Sequence, residues 1–167
     1  MILAIDVYYY DNKAKVVGVL FNEWEDENPV QIVITCVDKV EDYESGSFYK
    51  RELPCIAKLL ENIDLNEITT IVIDGYVYLD NNRKQGLGYY LYEYLNGTVP
   101  VIGVAKKSFH NNNMYVSQLL RGKSTNPLFI TCVGVDLSEA VESVKKMHGE
   151  FRIPTLLKLT DQQTRIV

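Results

Sequence analysis

Apolar residues along this chain recur at two different periods, and the change from one to the other marks its layout. In the first 40 residues three runs of strand character, ILAIDVYYY, KVVGVLFNEW and VQIVITCVDKV, are separated by Asp11-Asn12-Lys13 and by an acidic stretch ending at Pro29. Three consecutive strands with short connections predict an antiparallel meander. From about residue 50 the period lengthens. Leu53, Ile56, Leu60 and Ile63 fall on one face of a helix running to about Asn62, with Pro54 expected in its first turn, where proline is tolerated. The buried run TIVID, ending at Asp74, reads as a fourth strand. Leu87, Leu91, Tyr94 and Leu95 mark a second helix closing at Asn96-Gly97, and VIGVA after Pro100 is a fifth strand. Residues 114–120 and 128–135 predict a hairpin around RGKSTNP. Asp136-Leu-Ser-Glu139 then reads as a capping box opening the last helix, with Val141, Val144 and Met147 inward.

The order β-β-β-α-β-α-β, hairpin, α predicts an α/β domain over residues 1–167. Its sheet is mixed, an antiparallel meander followed by βα units, with helices on both faces, which is the element order of the ribonuclease H-like fold. Composition narrows the setting. With 47% hydrophobic and 23% charged residues the chain is ordinary for a soluble globular protein. No apolar run approaches the ~20 residues needed to cross a membrane, so no membrane partner is expected. The N-terminus, MILAIDVYYY, lacks the basic region of a secretory signal, and Cys36, Cys55 and Cys132 form no CxxC pair. They read as reduced core residues of a cytoplasmic protein. A net charge of −5 argues against non-specific adhesion to nucleic acid, except that sites holding divalent cations are themselves acidic and the bound ion reverses the local field. The recurrent basic pairs, Arg121 with Lys123 among them, read as solvated surface.

The chemistry lies in the acids. If the first and fourth strands are parallel neighbours, Asp6, near the middle of one, and Asp74, at the end of the other, sit side by side. Adjacent buried carboxylates repel and pay a desolvation cost unless a shared proton or a divalent cation neutralises them. Mg²⁺ suits such a pair, since it takes oxygen ligands, keeps several waters and binds through one or two carboxylates plus a substrate phosphate. Glu52 is the natural third acid. Each alone has an ordinary explanation: a strand-edge acid, a turn after a strand, an acid in the first turn of a helix. Together, on two strands and a helix, they point to metal.

Read in order, Asp6-Val7-x-Tyr9, Tyr43 nine residues before Glu52, Asp74-Gly75, the run Pro100-x-Ile-Gly-Val-Ala-Lys106 and Arg152-Ile-Pro154 resemble the endonuclease V family across essentially the whole chain. The resemblance implies a ribonuclease H-like fold and hydrolysis of a phosphodiester near a deaminated purine, typically inosine, in DNA or RNA, with Mg²⁺ or Mn²⁺. It implies that Asp6, Glu52 and Asp74 bind the metal and that Lys106 faces the scissile phosphate or the attacking water. Tyr43 matches an aromatic wedge that fills the gap left by a displaced base. Asp161 matches a further acid or histidine, and Gly75 and Arg83 fall among substrate contacts.

The departures concentrate on substrate reading. The family's prolines around the wedge tyrosine are absent from Asp42-Tyr43-Glu44-Ser45. A histidine expected after the aspartate-glycine is replaced by Asp80 or Asn81. Tyr89, Tyr90 and Tyr92 replace small residues and are expected to pack on the helix. The chain also begins almost directly on its first strand, shorter than typical members. A protein that binds nucleic acid with little or no catalysis, and a nuclease for another DNA or RNA structure, stand beside the inosine endonuclease as alternatives.

Overall fold

Strict alternation in the first strand decides which residues meet which layer. The computed structural model describes residues 1–40 and 48–166. Strands β1 (Ile2–Tyr10), β2 (Lys13–Phe21) and β3 (Gln31–Val37) form the expected antiparallel meander. The remaining strands are β4 (Thr70–Asp74), β5 (Val101–Ala105), β6 (Ser117–Leu119) and β7 (Leu128–Val133). They join in one mixed seven-stranded sheet of order β3-β2-β1-β4-β5-β7-β6, with β1, β4 and β5 parallel. Because side chains alternate across a strand, Leu3 and Ile5 enter one core and Ile2 and Ala4 the other. The first core is covered by α1 (Phe48–Leu60) and α2 (Leu87–Tyr94), the second by α3 (Leu137–Lys145) and α4 (Thr155–Thr164). Helices on both faces of a mixed sheet are the expected α/β arrangement, and α2 closes as predicted, with Asn96 and Gly97 at positive φ.

Several expectations need correction. Pro54 is the seventh residue of α1, beyond the first turn. Asp136 occupies the N-cap of α3 without a side-chain hydrogen bond, so no capping box forms, and the inward set is Ala140, Val144 and Met147, with Val141 only partly buried. Helix α3 is also not the last. Helix α4 follows it, and its pattern was hidden because the side chains it buries, Leu156, Thr160 and Thr164, lie four apart and two are threonines. The Thr160 hydroxyl satisfies itself by donating to the Leu156 carbonyl at 2.6 Å, so a polar residue can occupy a core position. Of the cysteines only Cys55 is fully buried. Cys36 is exposed on edge strand β3, beyond α4, which packs on β1 and β2. Arg121 reverses the reading of RGK as solvated surface. It is 5% exposed, and its guanidinium donates to main-chain carbonyls of the α3–α4 loop.

Candidate active site

The sheet opens where β4 stops. Ile5 pairs with Ile73, so Asp6 lies beside Asp74 on adjacent parallel strands, whose spacing is ~4.8 Å. Strand β1 then runs on to Tyr10 and β5 to Ala105 while β4 ends at Asp74, leaving a notch at the carboxyl ends of the parallel strands, where open α/β sheets receive ligands. Two depressions meet at this notch, and Asp6 and Asp74 line both. The smaller, on the α4 side, adds Lys106, Ile153, Thr160 and Asp161. The larger, a cleft of about 740 Å³ on the α1 side, adds Glu52, Tyr9, Arg51, Gly75, Tyr76 and Phe109. The predicted acids therefore converge on one notch from two strands and two helices. Glu52 is the fifth residue of α1, past the first turn, so the ordinary dipole explanation for a helical acid does not account for it.

Electrostatics bear the mark of this crowding. Burial first, then the charge of Asp74, push the Asp6 carboxyl up to about 7 from its ordinary 3.8, against a hydrogen bond from the Val7 N–H at 2.9 Å. The charge of Asp161, which lines the smaller depression with Asp6, adds to the rise. Burial, reinforced by Asp6 and Asp74, raises Glu52 to about 8. Asp74 is raised by burial too, opposed by Lys106, whose ammonium stands 3.9 Å from Asp74 Oδ2. Among the described residues no three acid, imidazole or thiol side chains cage an ion by themselves. The donor set nevertheless fits a hard cation. It is all carboxylate, it is pushed toward protonation by burial first and by neighbouring acids second, and Mg²⁺ ordinarily completes its shell with water and substrate oxygens.

The sequence pattern around Asp74 has a steric explanation. Gly75 adopts φ +131, its N–H donates to the Val104 carbonyl at 3.2 Å, and its own carbonyl lies over Gly103, where a Cβ would come within 2.5 Å of it. The Val77 N–H donates to Thr131 Oγ1 at 2.8 Å, fixing the exit of the turn. The glycine in VIGVA thus admits the turn that carries Asp74. Arg152, two residues before Pro154, donates to the carbonyls of Lys106 at 2.5 Å and Pro127 at 2.8 Å, tying the end of β5 to the entry of α4, which delivers Asp161. Arg165 donates from Nε to Asp161 Oδ1 at 3.2 Å and lies over the Tyr8 ring at 5.0 Å.

Other predicted residues fall elsewhere. Arg83, at φ 57, is exposed, stacks over Tyr115 at 4.8 Å and lines neither depression. Asp80 Oδ1 accepts from the Asn82 and Lys84 N–H groups, and Asn81 Oδ1 from those of Asn113 and Met114, so both build turns and neither faces the acids. Tyr43 lies outside the described residues. Tyr89 and Tyr92 pack on the core as expected, whereas Tyr90 stacks on Tyr49 at 3.7 Å and extends the cleft wall.

Sequence reasoning passed over Arg51 and Tyr9 as site residues. The Arg51 guanidinium lies 3.7 Å over the Tyr9 ring, both residues line the large cleft, and the buried Tyr9 Oη and Arg51 Nε have no hydrogen-bond partner. Those two atoms are sealed from solvent, so it is the stacked Tyr9 and Arg51 side chains as a pair that form part of the cleft wall. Their adjacency to Asp6 and Glu52 in sequence was the available signal.

The Endonuclease V family model matches residues 1–162. Among solved structures, endonuclease V (D234N) of Ciona intestinalis, in complex with a 23mer DNA containing an inosine followed by a ribo-adenosine, superposes with TM-score 0.83 at 21% identity, over 98% of this chain and 83% of that one. Endonuclease V from Bacillus subtilis gives 0.81 at 19% identity over 99% and 78% of the two chains. Human ENDOV gives 0.72 at 25% identity over 98% and 82%. No curated protein sequence matches.

Proposed function

The chain belongs to the endonuclease V family, and from that premise we propose that it is a divalent-metal-dependent endonuclease hydrolysing a phosphodiester near a deaminated purine, inosine, in DNA or RNA. The observation carrying this reading is the register that sets Asp6 beside Asp74 at the end of β4, with Glu52 brought across the notch by α1. Asp6, Glu52 and Asp74 would hold Mg²⁺ or Mn²⁺. When bound, that ion neutralises the acids, lowers the pKa of a bound water and stabilises the leaving oxygen. Lys106, held near Asp74 and half exposed, is placed to meet a phosphate oxygen or orient the water. Asp161 lines the smaller depression with Asp6 and Asp74 and would stand there as a further acid beside the metal ligands.

The large cleft suits a base taken out of the stack. Leu79, Leu87, Tyr76 and Phe109 offer apolar walls, while Tyr9 and Arg51 add polar side chains to the lining. The reading is supported by analogy with the Ciona intestinalis endonuclease V complexes, whose DNA contains an inosine.

The test is cleavage of matched oligonucleotides with and without inosine, in DNA and in RNA, with Mg²⁺ or Mn²⁺, beside Asp74→Asn. Inosine-dependent, metal-dependent cutting lost in Asp74→Asn is expected. A wild type that binds strand but cuts none of the substrates sinks the nuclease reading and leaves a binding protein. Equal cutting of strands with and without inosine moves the substrate to another structure.

A further inference from the structure

The loop between α3 and α4 holds an aromatic ring in solvent on a rigid support. Phe151 is 73% exposed, the most of any large hydrophobic residue described. One exposed phenylalanine is ordinary. Its support is not. The buried Arg121 guanidinium spends its donors on this one loop, giving Nη1 to the Phe151 carbonyl at 2.6 Å and the Arg152 carbonyl at 3.3 Å. Its Nη2 goes to Met147 at 2.7 Å and Gly149 at 3.2 Å. A buried cation satisfied only by carbonyls is costly, and here it fixes the backbone on both sides of Phe151. Gly122, at φ +60, packs so closely that a Cβ would come 2.0 Å from the Glu150 carbonyl oxygen and 3.3 Å from Phe151 Cα.

This support is continuous with the acid notch. Arg152 grips the Lys106 carbonyl, and Ile153, two residues after Phe151, lines the depression shared by Asp6, Asp74, Lys106 and Asp161. Basic residues adjoin this support in the chain: Lys123 follows Gly122, which packs against Glu150 and Phe151, and Lys106 is the residue whose carbonyl Arg152 holds. A protein partner would call for a contiguous apolar patch of several hundred Å². An exposed aromatic whose backbone is fixed in advance, on a loop continuous with the acid notch, suits an unpaired base of a strand lying across that notch, since no ordering cost falls on binding.

We infer that Phe151 is a stacking platform for a base of the bound strand next to the scissile phosphodiester, with Lys123 contacting a flanking phosphate. The inference takes nucleic acid as partner from the proposed function and goes beyond it in naming a second contact outside the large cleft. The probe is a labelled single-stranded 20-mer DNA with one inosine, titrated in Ca²⁺ so that binding is read apart from cutting. Abasic sites are walked through the positions beside the inosine. Phe151→Ala is expected to weaken binding about tenfold, within the range of one base–aromatic stack, and Phe151→Trp to restore it. One abasic position should weaken wild type equally while costing Phe151→Ala nothing more. The salt slope should stay unchanged in Phe151→Ala and fall by about one in Lys123→Gln. Wild-type affinity for every probe in Phe151→Ala, with binding and cutting by wild type intact, overturns this inference alone. A wild type that binds no strand overturns it together with the nuclease reading.

Discussion

Asp6 and Glu52 are acids that folding has made reluctant to ionise, and that reluctance sets how stability responds to pH. An unfolded aspartate or glutamate releases its proton near 3.8 or 4.5, whereas folded Asp6 keeps its proton to about 7 and Glu52 to about 8. Between those values the folded chain holds more protons than the unfolded one. The contribution of these two acids to metal-free stability is therefore fully present below about pH 4 and is lost as pH rises through 7 to 8. After discounting for the water that reaches the notch, the loss is expected to be ~2 kcal/mol between pH 5 and 8. Thermal melts in EDTA should show the midpoint falling over this range, with Asp6→Asn flattening the fall. Added Mg²⁺ or Mn²⁺ should raise the midpoint at pH 8 by mass action on the folded state. A midpoint at pH 8 indifferent to either cation would falsify the assignment of these acids as ligands. Lys106→Met should lower the cleavage rate by ~10²-fold, the usual effect of removing one donor to a developing charge, with little change in strand affinity.

Turns and loops decide whether those residues meet. Gly103 leaves room for the Gly75 carbonyl, and Gly103→Ala would drive a Cβ to 2.5 Å from it and 2.8 Å from Thr131 Oγ1. The turn carrying Asp74 must then move, so this substitution is expected to cost ~2 kcal/mol by chemical denaturation and to depress cleavage as well. Arg121→Leu leaves the loop carbonyls without donors and should cost ~3 kcal/mol. The seven strands and three of the four α-helices among the described residues were legible in the sequence, because their buried positions are filled largely by aliphatic side chains. Helix α4 was not. Thr160 and Thr164 occupy its inward face and return their hydroxyls to the helix backbone, so burial there leaves no hydrophobic trace. Arg121 was misread for the converse reason: a guanidinium is buried here because main-chain carbonyls surround it, and sequence spacing carries no record of them.

On the scale of the whole molecule, a chain of net charge −5 that concentrates acids in one notch should repel phosphates until a cation arrives. Oligonucleotide affinity is expected to rise at least tenfold from EDTA to Ca²⁺. At pH 9, where Glu52 is ionised, Glu52→Gln should bind more tightly than wild type in EDTA, which fluorescence anisotropy can read without any cutting. Binding equally strong with and without divalent ion would place the strand away from the acids. The residues themselves carried the identity of the acids, the meander followed by βα units, and the glycine-bearing VIGVA run, since these depend on local period and residue type. Only the tertiary structure decided that Glu52 crosses to the Asp6–Asp74 pair and that Asp161 arrives on a helix without an apolar signature. It also turned Asp80, Asn81 and Arg83 toward turn building and the surface, and stacked Arg51 on Tyr9 in the cleft wall. Those outcomes depend on register and on the end of one short strand, and they bring together side chains far apart in the chain, which no local pattern can encode.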